Sequence, residues 1–136
     1  MTLIRSYRSR VDPDRIPEYE SFEKNVGVGM VAKQPGCLHV AFGRVVEASE
    51  PTYVFLSVWR DRESLERARA TPAWKDAVRG LVEQNFERSP GIGEHVDVVR
   101  WADGPASKPP QAPAKARPTK RKPTSKPKKK GTKRKK

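Results

Sequence analysis

The side chains that could carry out chemistry are few, and they lie far apart in the sequence. His39 is one of two histidines, and the ordinary pKa of imidazole suits a general base near neutral pH. Tyr7 could donate a hydrogen bond to a substrate oxygen. A structural role is the alternative for both, since a histidine can be hydrogen-bonded within a sheet or interface and a strand tyrosine can simply pack.

Cysteine and histidine are too sparse to build a metal site. Cys37 is the only cysteine, which excludes an internal disulfide and a thiolate-rich zinc site. No cation flanks Cys37 to activate it, so we expect a buried, inert thiol. His39 and His95 are widely separated, and no HExxH pair exists. The sequence therefore predicts no metal site.

The first third of the chain predicts a strand followed by a helix. Residues 2–11 alternate roughly between two faces, as a strand does. Asp12 then caps a helix whose first position is Pro13, and Pro35-Gly36 ends this helix in a turn. Apolar side chains at spacings of three and four form one face of the helix: Ile16, Tyr19, Phe22, Val26 and Met30.

Two further strands, residues 37–47 and 53–60, carry apolar side chains on both faces. An isolated antiparallel sheet would keep one face polar. We therefore expect helices to cover one face of this sheet and a second subunit to cover the other.

A pair of helices and a last strand complete the predicted order. Asp61 can cap a short helix, and Thr71 precedes a longer one. The final strand is predicted at residues 95–101, after a loop at 89–93. The order of elements indicates an α+β fold, the ferredoxin-like split βαβ sandwich. The buried stripe of the longer helix is predicted to comprise Trp74, Ala77, Val78, Leu81 and Phe86.

All of the excess positive charge lies in the last third of the chain. Of the 29 Lys and Arg residues, 14 fall in residues 104–136, which contain seven Pro and no Asp or Glu. Residues 1–103 hold the other 15 basic residues and all 16 acidic ones, so their net charge is about −1. We therefore predict one folded domain over residues 1–103 and a disordered, polybasic C-terminal tail over residues 104–136.

A tail of this composition is expected to bind nucleic acid without sequence preference, because it contacts phosphates and has no aromatic side chain for base stacking. It resembles the Lys/Pro/Ala-rich tails of histone H1-like proteins. An anionic membrane surface and a purely solubilising tail are the alternatives. We expect a cytoplasmic protein, because no signal peptide is evident, with nucleoid association if the tail binds DNA. The predicted contact residues are Lys120, Arg121, Lys122, Lys126, Lys128, Lys129, Lys130, Lys133, Arg134, Lys135 and Lys136.

Three segments of residues 2–101 resemble the antibiotic biosynthesis monooxygenase (ABM) family of the dimeric α/β-barrel superfamily. They are Pro35-Gly36-Cys37-Leu38, the run from Tyr53 through Trp59 to Leu65, and Thr71-Pro72-Ala73-Trp74-Lys75. The resemblance implies a homodimer in which two sheets pack face to face. It also implies that Trp59, at the end of the third strand, could line a substrate cleft.

Some members of this family oxygenate aromatic or quinol-type substrates without metal or flavin, because the deprotonated substrate reduces O2 directly. Others degrade haem with an Asn, a Trp and an iron-binding His, and the matching positions here hold Tyr7, Ala68 and Val78. The departures argue against haem degradation, since Val78 cannot ligate iron.

The sequence therefore predicts a cofactor-independent monooxygenase acting on a small aromatic or quinol-type substrate. His39 is the predicted base, and Tyr7 and Trp59 are predicted to orient the substrate. Phe22 and Trp74 could wall the pocket or simply fill the core. The alternative is a non-catalytic dimerisation or ligand-sensing module, with two tails per dimer attached to nucleic acid.

Overall fold

The computed structural model describes residues 2–107, and its centre is a four-stranded antiparallel sheet with strand order β2-β3-β1-β4. The strands are β1 (Leu3–Arg10), β2 (Cys37–Arg44), β3 (Thr52–Trp59) and β4 (Ile92–Asp97). Helices connect β1 to β2 and β3 to β4. The predicted α+β, ferredoxin-like fold is confirmed.

The helix between β1 and β2 is interrupted in its middle. A short 3-10 turn, Pro13–Arg15, begins where Asp12 Oδ1 accepts a 2.9 Å hydrogen bond from the backbone N–H of Asp14. Helix α1 (Ile16–Phe22) is joined to α2 (Val28–Ala32) by a π-helical turn, Glu23–Gly27. A wide turn of this kind often occurs at a functional site in a helix.

The second helical pair begins at the predicted caps. Asp61 Oδ1 accepts a 2.8 Å hydrogen bond from the Ser64 N–H at the start of α3 (Arg62–Arg69). Thr71 Oγ1 accepts one of 3.2 Å from the Trp74 N–H at the start of α4 (Pro72–Gln84). Each cap satisfies a backbone donor that has no partner within its helix.

One face of the sheet packs against the helices. Leu3 opposite Trp59 and Tyr7 opposite Phe55 are cross-strand pairs on that face. A second apolar cluster is formed by Val11, Tyr19, Tyr53 and Phe86. The helical layer and this sheet face therefore enclose the core of the domain.

The other sheet face is apolar and is left open by the described part of the chain. Ile4 pairs with Val58, and Leu56 lies between Ser6 and Ala41. Ile4 and Leu56 are half-buried, and Val96 on the edge strand is exposed. Both faces of β3 are thus apolar, as the sequence indicated, but only one is covered here.

The structure shifts the predicted ends of several elements. The last strand was predicted at residues 95–101 but runs from Ile92 to Asp97, because pairing with β1 fixes its extent. Helix α4 ends at Gln84, where Asn85 adopts a left-handed conformation with φ 55°. Phe86 is buried, as predicted, but it lies beyond the helix. Cys37 is only half-buried, and burial raises the pKa of its thiol.

The chain divides into two units after Arg100. In the second unit Trp101 Nε1 donates a 3.0 Å hydrogen bond to Asp103, and Pro105–Ser107 forms a 3-10 turn. The tail predicted to be disordered, residues 104–136, lies outside the described range from residue 108 onward, and so do the predicted nucleic-acid contacts between Lys120 and Lys136. Within that range no helix is long and apolar enough to cross a membrane.

Candidate active site

A cavity of about 470 Å³ lies between the helices and the covered face of the sheet. Its volume is within the usual range for small-molecule sites. Most of the lining is apolar, with a few polar groups from β1, from the π-helical turn and from the segment after α4. The apolar lining residues are Phe22, Met30, Val31, Phe55, Trp74, Ala77, Val78, Leu81 and Val82.

Glu23 is the most strongly perturbed acid in the cavity wall. Its side chain comes from the π-helical turn, and the residue is only 5% exposed. Burial raises the pKa of its carboxyl to about 7, while a hydrogen bond from Tyr19 and the charge of Arg5 act in the opposite direction. A carboxyl with this pKa can accept and return a proton near neutral pH.

The position of Glu23 depends on the absence of a side chain at Gly27. A Cβ atom at Gly27 would overlap Glu23 Oε1 and would also approach the ring of Phe55. The backbone of Gly27 has an ordinary helical conformation, with φ −64°. The glycine is therefore explained by the space that the carboxyl fills rather than by its backbone angles.

Tyr7 and Glu87 contact each other in the wall of the cavity. The Tyr7 hydroxyl is 3.1 Å from both carboxylate oxygens of Glu87, to which it donates a hydrogen bond. Burial, reinforced by the charge of Glu87 and this hydrogen bond, raises the pKa of Tyr7 to about 12. Tyr7 therefore remains a neutral donor at physiological pH. A single antiparallel β-bridge between Val11 and Glu87 fixes the backbone at Glu87.

Arg5 supplies a positive charge to the same cavity. Its guanidinium carbon lies 5.6 Å from the centre of the Tyr7 ring and 5.5 Å from that of the Trp74 ring. Burial lowers the pKa of the group, and the charge of Arg69 adds to this effect. The site thus combines two carboxyl groups (Glu23 and Glu87), the phenol of Tyr7 and the guanidinium of Arg5 within a largely apolar wall, and Arg88 adds a second guanidinium to the lining.

The structure separates the three side chains that the sequence singled out. Tyr7 lines the cavity. His39 is exposed and pairs with Val58 on the open face of the sheet, so it lies on the other side of the sheet from the cavity. Trp59 is fully buried, donates a 2.8 Å hydrogen bond from Nε1 to Ser57 Oγ, and is not part of the lining.

Sequence reasoning missed Glu23, Glu87 and Arg5. A signal for Glu23 was present, because it lies four residues after Tyr19 and four before Gly27 on the inward side of the helix. Nothing comparable marks Glu87, which belongs to an irregular segment. Phe22 and Trp74, which the sequence allowed either to wall a pocket or to fill the core, line the cavity.

No group of three or more potential metal ligands occurs within residues 2–107. The absence of a metal and a cofactor stays a prediction, which an assay of the protein without added metal or cofactor would test.

Comparison with known proteins identifies the family. The model of the family described as antibiotic biosynthesis monooxygenase matches residues 2–80. Among curated proteins no significant sequence match was found.

Solved structures share the fold at low sequence identity. Rv0793 from Mycobacterium tuberculosis is 14% identical with a TM-score of 0.66, over 76% of this chain and 100% of that one. SnoaB, a cofactor-independent oxygenase from Streptomyces nogalater, is 20% identical with a TM-score of 0.62, over 74% and 95%. A protein of Caulobacter crescentus, provisionally described as an antibiotic biosynthesis monooxygenase, is 21% identical with a TM-score of 0.63. The match covers 73% of this chain and 91% of that one.

Proposed function

Because the chain belongs to the antibiotic biosynthesis monooxygenase family, we propose that it is a cofactor-independent monooxygenase acting on a small aromatic or quinol-type substrate. The observation that carries the proposal is the buried carboxyl of Glu23, whose pKa of about 7 is matched to proton abstraction in an apolar cavity of about 470 Å³. The fold shared with SnoaB, a cofactor-independent oxygenase, supports the same chemistry.

In this mechanism Glu23 removes the proton of a phenolic hydroxyl. The resulting anion is electron-rich and transfers an electron to O2. Recombination at a ring carbon that carries a hydrogen forms a C–O bond to a peroxide anion, which takes the proton back from Glu23 and becomes a hydroperoxide. Loss of water from the hydroperoxide leaves a carbonyl group at that carbon. The phenol thus loses two hydrogen atoms and gains one oxygen atom, and the second oxygen atom of O2 leaves as water.

Tyr7 and the aromatic walls would orient the substrate. The Tyr7 hydroxyl donates its proton to Glu87, so the Tyr7 oxygen can accept a hydrogen bond from a substrate hydroxyl. Phe22 and Trp74 offer aromatic surfaces on which a planar substrate can pack. Positioning of this kind contributes to the rate because it replaces a random encounter by a fixed geometry.

We assign the base to Glu23 rather than to His39. His39 lies on the open, apolar face of the sheet together with Leu56 and Val58. We propose that this face is the homodimer interface, since members of the family are typically dimers and a contiguous apolar surface needs a cover. Its position supports an interface role for His39.

Oxygen uptake with a panel of hydroquinones tests the assignment, after subtraction of the enzyme-free oxidation rate. We expect Glu23→Gln to lower the enzymatic rate by about 100-fold or more, as is typical for the loss of a general base. His39→Ala is the matched control and should keep most of the rate. Equal loss in both variants would contradict the assignment of Glu23, and an unchanged rate in Glu23→Gln would remove it from the mechanism.

A second function is favoured by the charge of residues 104–136, which hold 14 Lys and Arg and no acidic residue. We propose that this segment binds nucleic acid through its phosphates, whether or not the domain is catalytic. A dimer carries two such segments, which would strengthen attachment to one polyanion. The domain could then act as a dimerisation or ligand-sensing module if the oxygenase assay fails.

A further inference from the structure

The guanidinium of Arg5 lines the cavity and forms no ion pair with an acidic side chain of residues 2–107. Its side chain makes no ion pair and no hydrogen bond with any of residues 2–107, and its contacts are the rings of Tyr7 and Trp74 at 5.6 and 5.5 Å. An arginine cannot relieve this situation by losing its proton, because its pKa is far above neutral. The cavity therefore contains a half-buried positive charge with free N–H donors.

The neighbouring acids do not supply the missing negative charge. Glu87 accepts the hydrogen bond of Tyr7 and forms no ion pair with Arg5. Glu23 attracts Arg5 electrostatically, but its pKa of about 7 leaves the carboxyl only partly ionised at neutral pH and mostly protonated below it.

Other basic residues lie near Arg5, and the charge of Arg69 acts on it directly. His95 is its cross-strand partner on β4, and desolvation, followed by the charges of Arg5, Arg69 and Arg62, lowers the pKa of that imidazole. Beyond the cavity acids Glu23 and Glu87, Glu66 acts on His95, and Asp97 is paired with Arg62 at 3.8 Å. Arg5 and Arg69 thus bring two positive charges close together, and an anion at the guanidinium of Arg5 would offset this repulsion.

We propose that Arg5 is an anion-binding subsite of the cavity and selects aromatic ligands that carry a carboxylate. The flat guanidinium presents paired N–H donors that match the two oxygens of a carboxylate, and the rings of Tyr7 and Trp74 hold it in place. A ligand bound in this way would have its ring among the apolar walls and its carboxylate on Arg5. This inference rests on the proposed function only for the reaction that the bound ligand would undergo. The subsite itself can be tested by binding alone.

The test compares two probes that differ only in the anionic group, 1-naphthol and 1-hydroxy-2-naphthoate. Binding is measured on the full-length protein by isothermal titration calorimetry at pH 6.5, with the shift in Tm as a second readout. We expect wild type to bind the naphthoate about tenfold or more tightly than the naphthol, as a charge-assisted hydrogen bond allows. Arg5→Gln should abolish this preference and leave naphthol binding nearly unchanged, while Arg5→Lys should retain part of it.

Lys33→Gln is the matched control, since it removes one positive charge from an exposed position outside the cavity. It should preserve the preference for the naphthoate. Equal affinity of wild type for the two probes, or a loss of both affinities in a folded Arg5→Gln variant, would overturn the proposal, and so would failure of both probes to bind wild type. Arg5-dependent binding without oxygen uptake on hydroquinones would instead uphold the subsite and count against the oxygenase.

Discussion

The carboxylate of Glu23 lies against the Cα of Gly27, in the space that any larger side chain at position 27 would fill. Both residues belong to the π-helical turn between α1 and α2, one at each end. The turn thereby places an acid on the cavity wall and leaves room for it four residues later. The same acid is removed from water, which gives it a pKa suited to proton transfer.

Gly27→Ala is expected to reduce oxygenase activity without preventing folding. The new methyl group would overlap Glu23 Oε1, and a flexible carboxyl can move away at little cost in stability. Gly29→Ala is the matched control, because nothing lies within 4 Å of a Cβ at that position. The control should keep full activity and gain up to about 1 kcal/mol of stability from helix propensity. Equal activity in the two variants, measured by oxygen uptake, would show that the Glu23 position is unimportant.

Folding stability should fall as the pH rises from about 4.5 to about 7, because burial raises the pKa of Glu23 from 4.5 to about 7 in the folded protein. Within that window the folded state keeps a proton that the unfolded state has released, so raising the pH favours unfolding. The contribution amounts to at most about 3 kcal/mol. Urea unfolding at pH 5 and pH 8 measures it for wild type and Glu23→Gln. If the free energy of unfolding changes equally between pH 5 and pH 8 in both proteins, groups other than Glu23 cause the change.

Tyr7→Phe should lower the free energy of unfolding by about 1–2 kcal/mol, because Glu87 loses a hydrogen-bond donor inside the cavity wall. Gly91→Ala should have a similar effect, since a Cβ there would overlap the hydroxyl end of the Tyr7 ring. At Gly93 the nearest atom to a Cβ is the Tyr7 ring at 3.7 Å, an ordinary contact, so Gly93→Ala serves as the control. Chemical denaturation compares the four proteins, and a Gly91→Ala variant as stable as Gly93→Ala would contradict the packing described.

Leu56→Lys should convert a homodimer into monomers, because Leu56 lies on the central strand β3 of the open sheet face. Twofold symmetry would place the new charge twice in one apolar interface. Val46→Lys is the control, as Val46 is 90% exposed and lies in the connection between β2 and β3. Sedimentation velocity reports the mass of each variant. A Leu56→Lys protein that remains dimeric with wild-type stability would place the interface elsewhere.

Removal of residues 104–136 should abolish retention on DNA, since the remaining residues have a net charge of about −1. With the segment present, affinity for a random duplex should fall steeply between low and physiological salt, as expected for phosphate contacts. Fluorescence anisotropy at several salt concentrations measures both effects. Retention of the truncated protein on DNA would assign binding to the domain, and equal affinity across salt would exclude a phosphate-directed mode.

The local pattern of the sequence was sufficient for most of the fold. Side-chain alternation located β1, β2 and β3, and the caps Asp61 and Thr71 begin the helices that follow them. These features depend on neighbours a few residues apart, so they can be read without knowing the rest of the chain. The end of β4 was missed because its extent is set by pairing with β1, more than 80 residues earlier.

The pairing of β2 with β3 determines the sheet face on which His39 lies. A β-bulge between Cys37 and His39 inserts one extra residue into β2, so that Cys37 pairs with Trp59 and His39 with Val58. Strict alternation would have placed Cys37 and His39 on the same face. A single irregularity in register therefore put the predicted base on the side of the sheet away from the cavity.

The sequence by itself determined the antiparallel α+β architecture, the apolar nature of both faces of β3 and the segregation of positive charge into residues 104–136. Only the tertiary structure decided which polar groups meet in the cavity. Arg5, Glu23 and Glu87 are brought to one wall by strand pairing and helix packing across long stretches of chain. The raised pKa of Glu23 arises in the same way, because desolvation depends on every group packed around the carboxyl and not on its neighbours in the sequence.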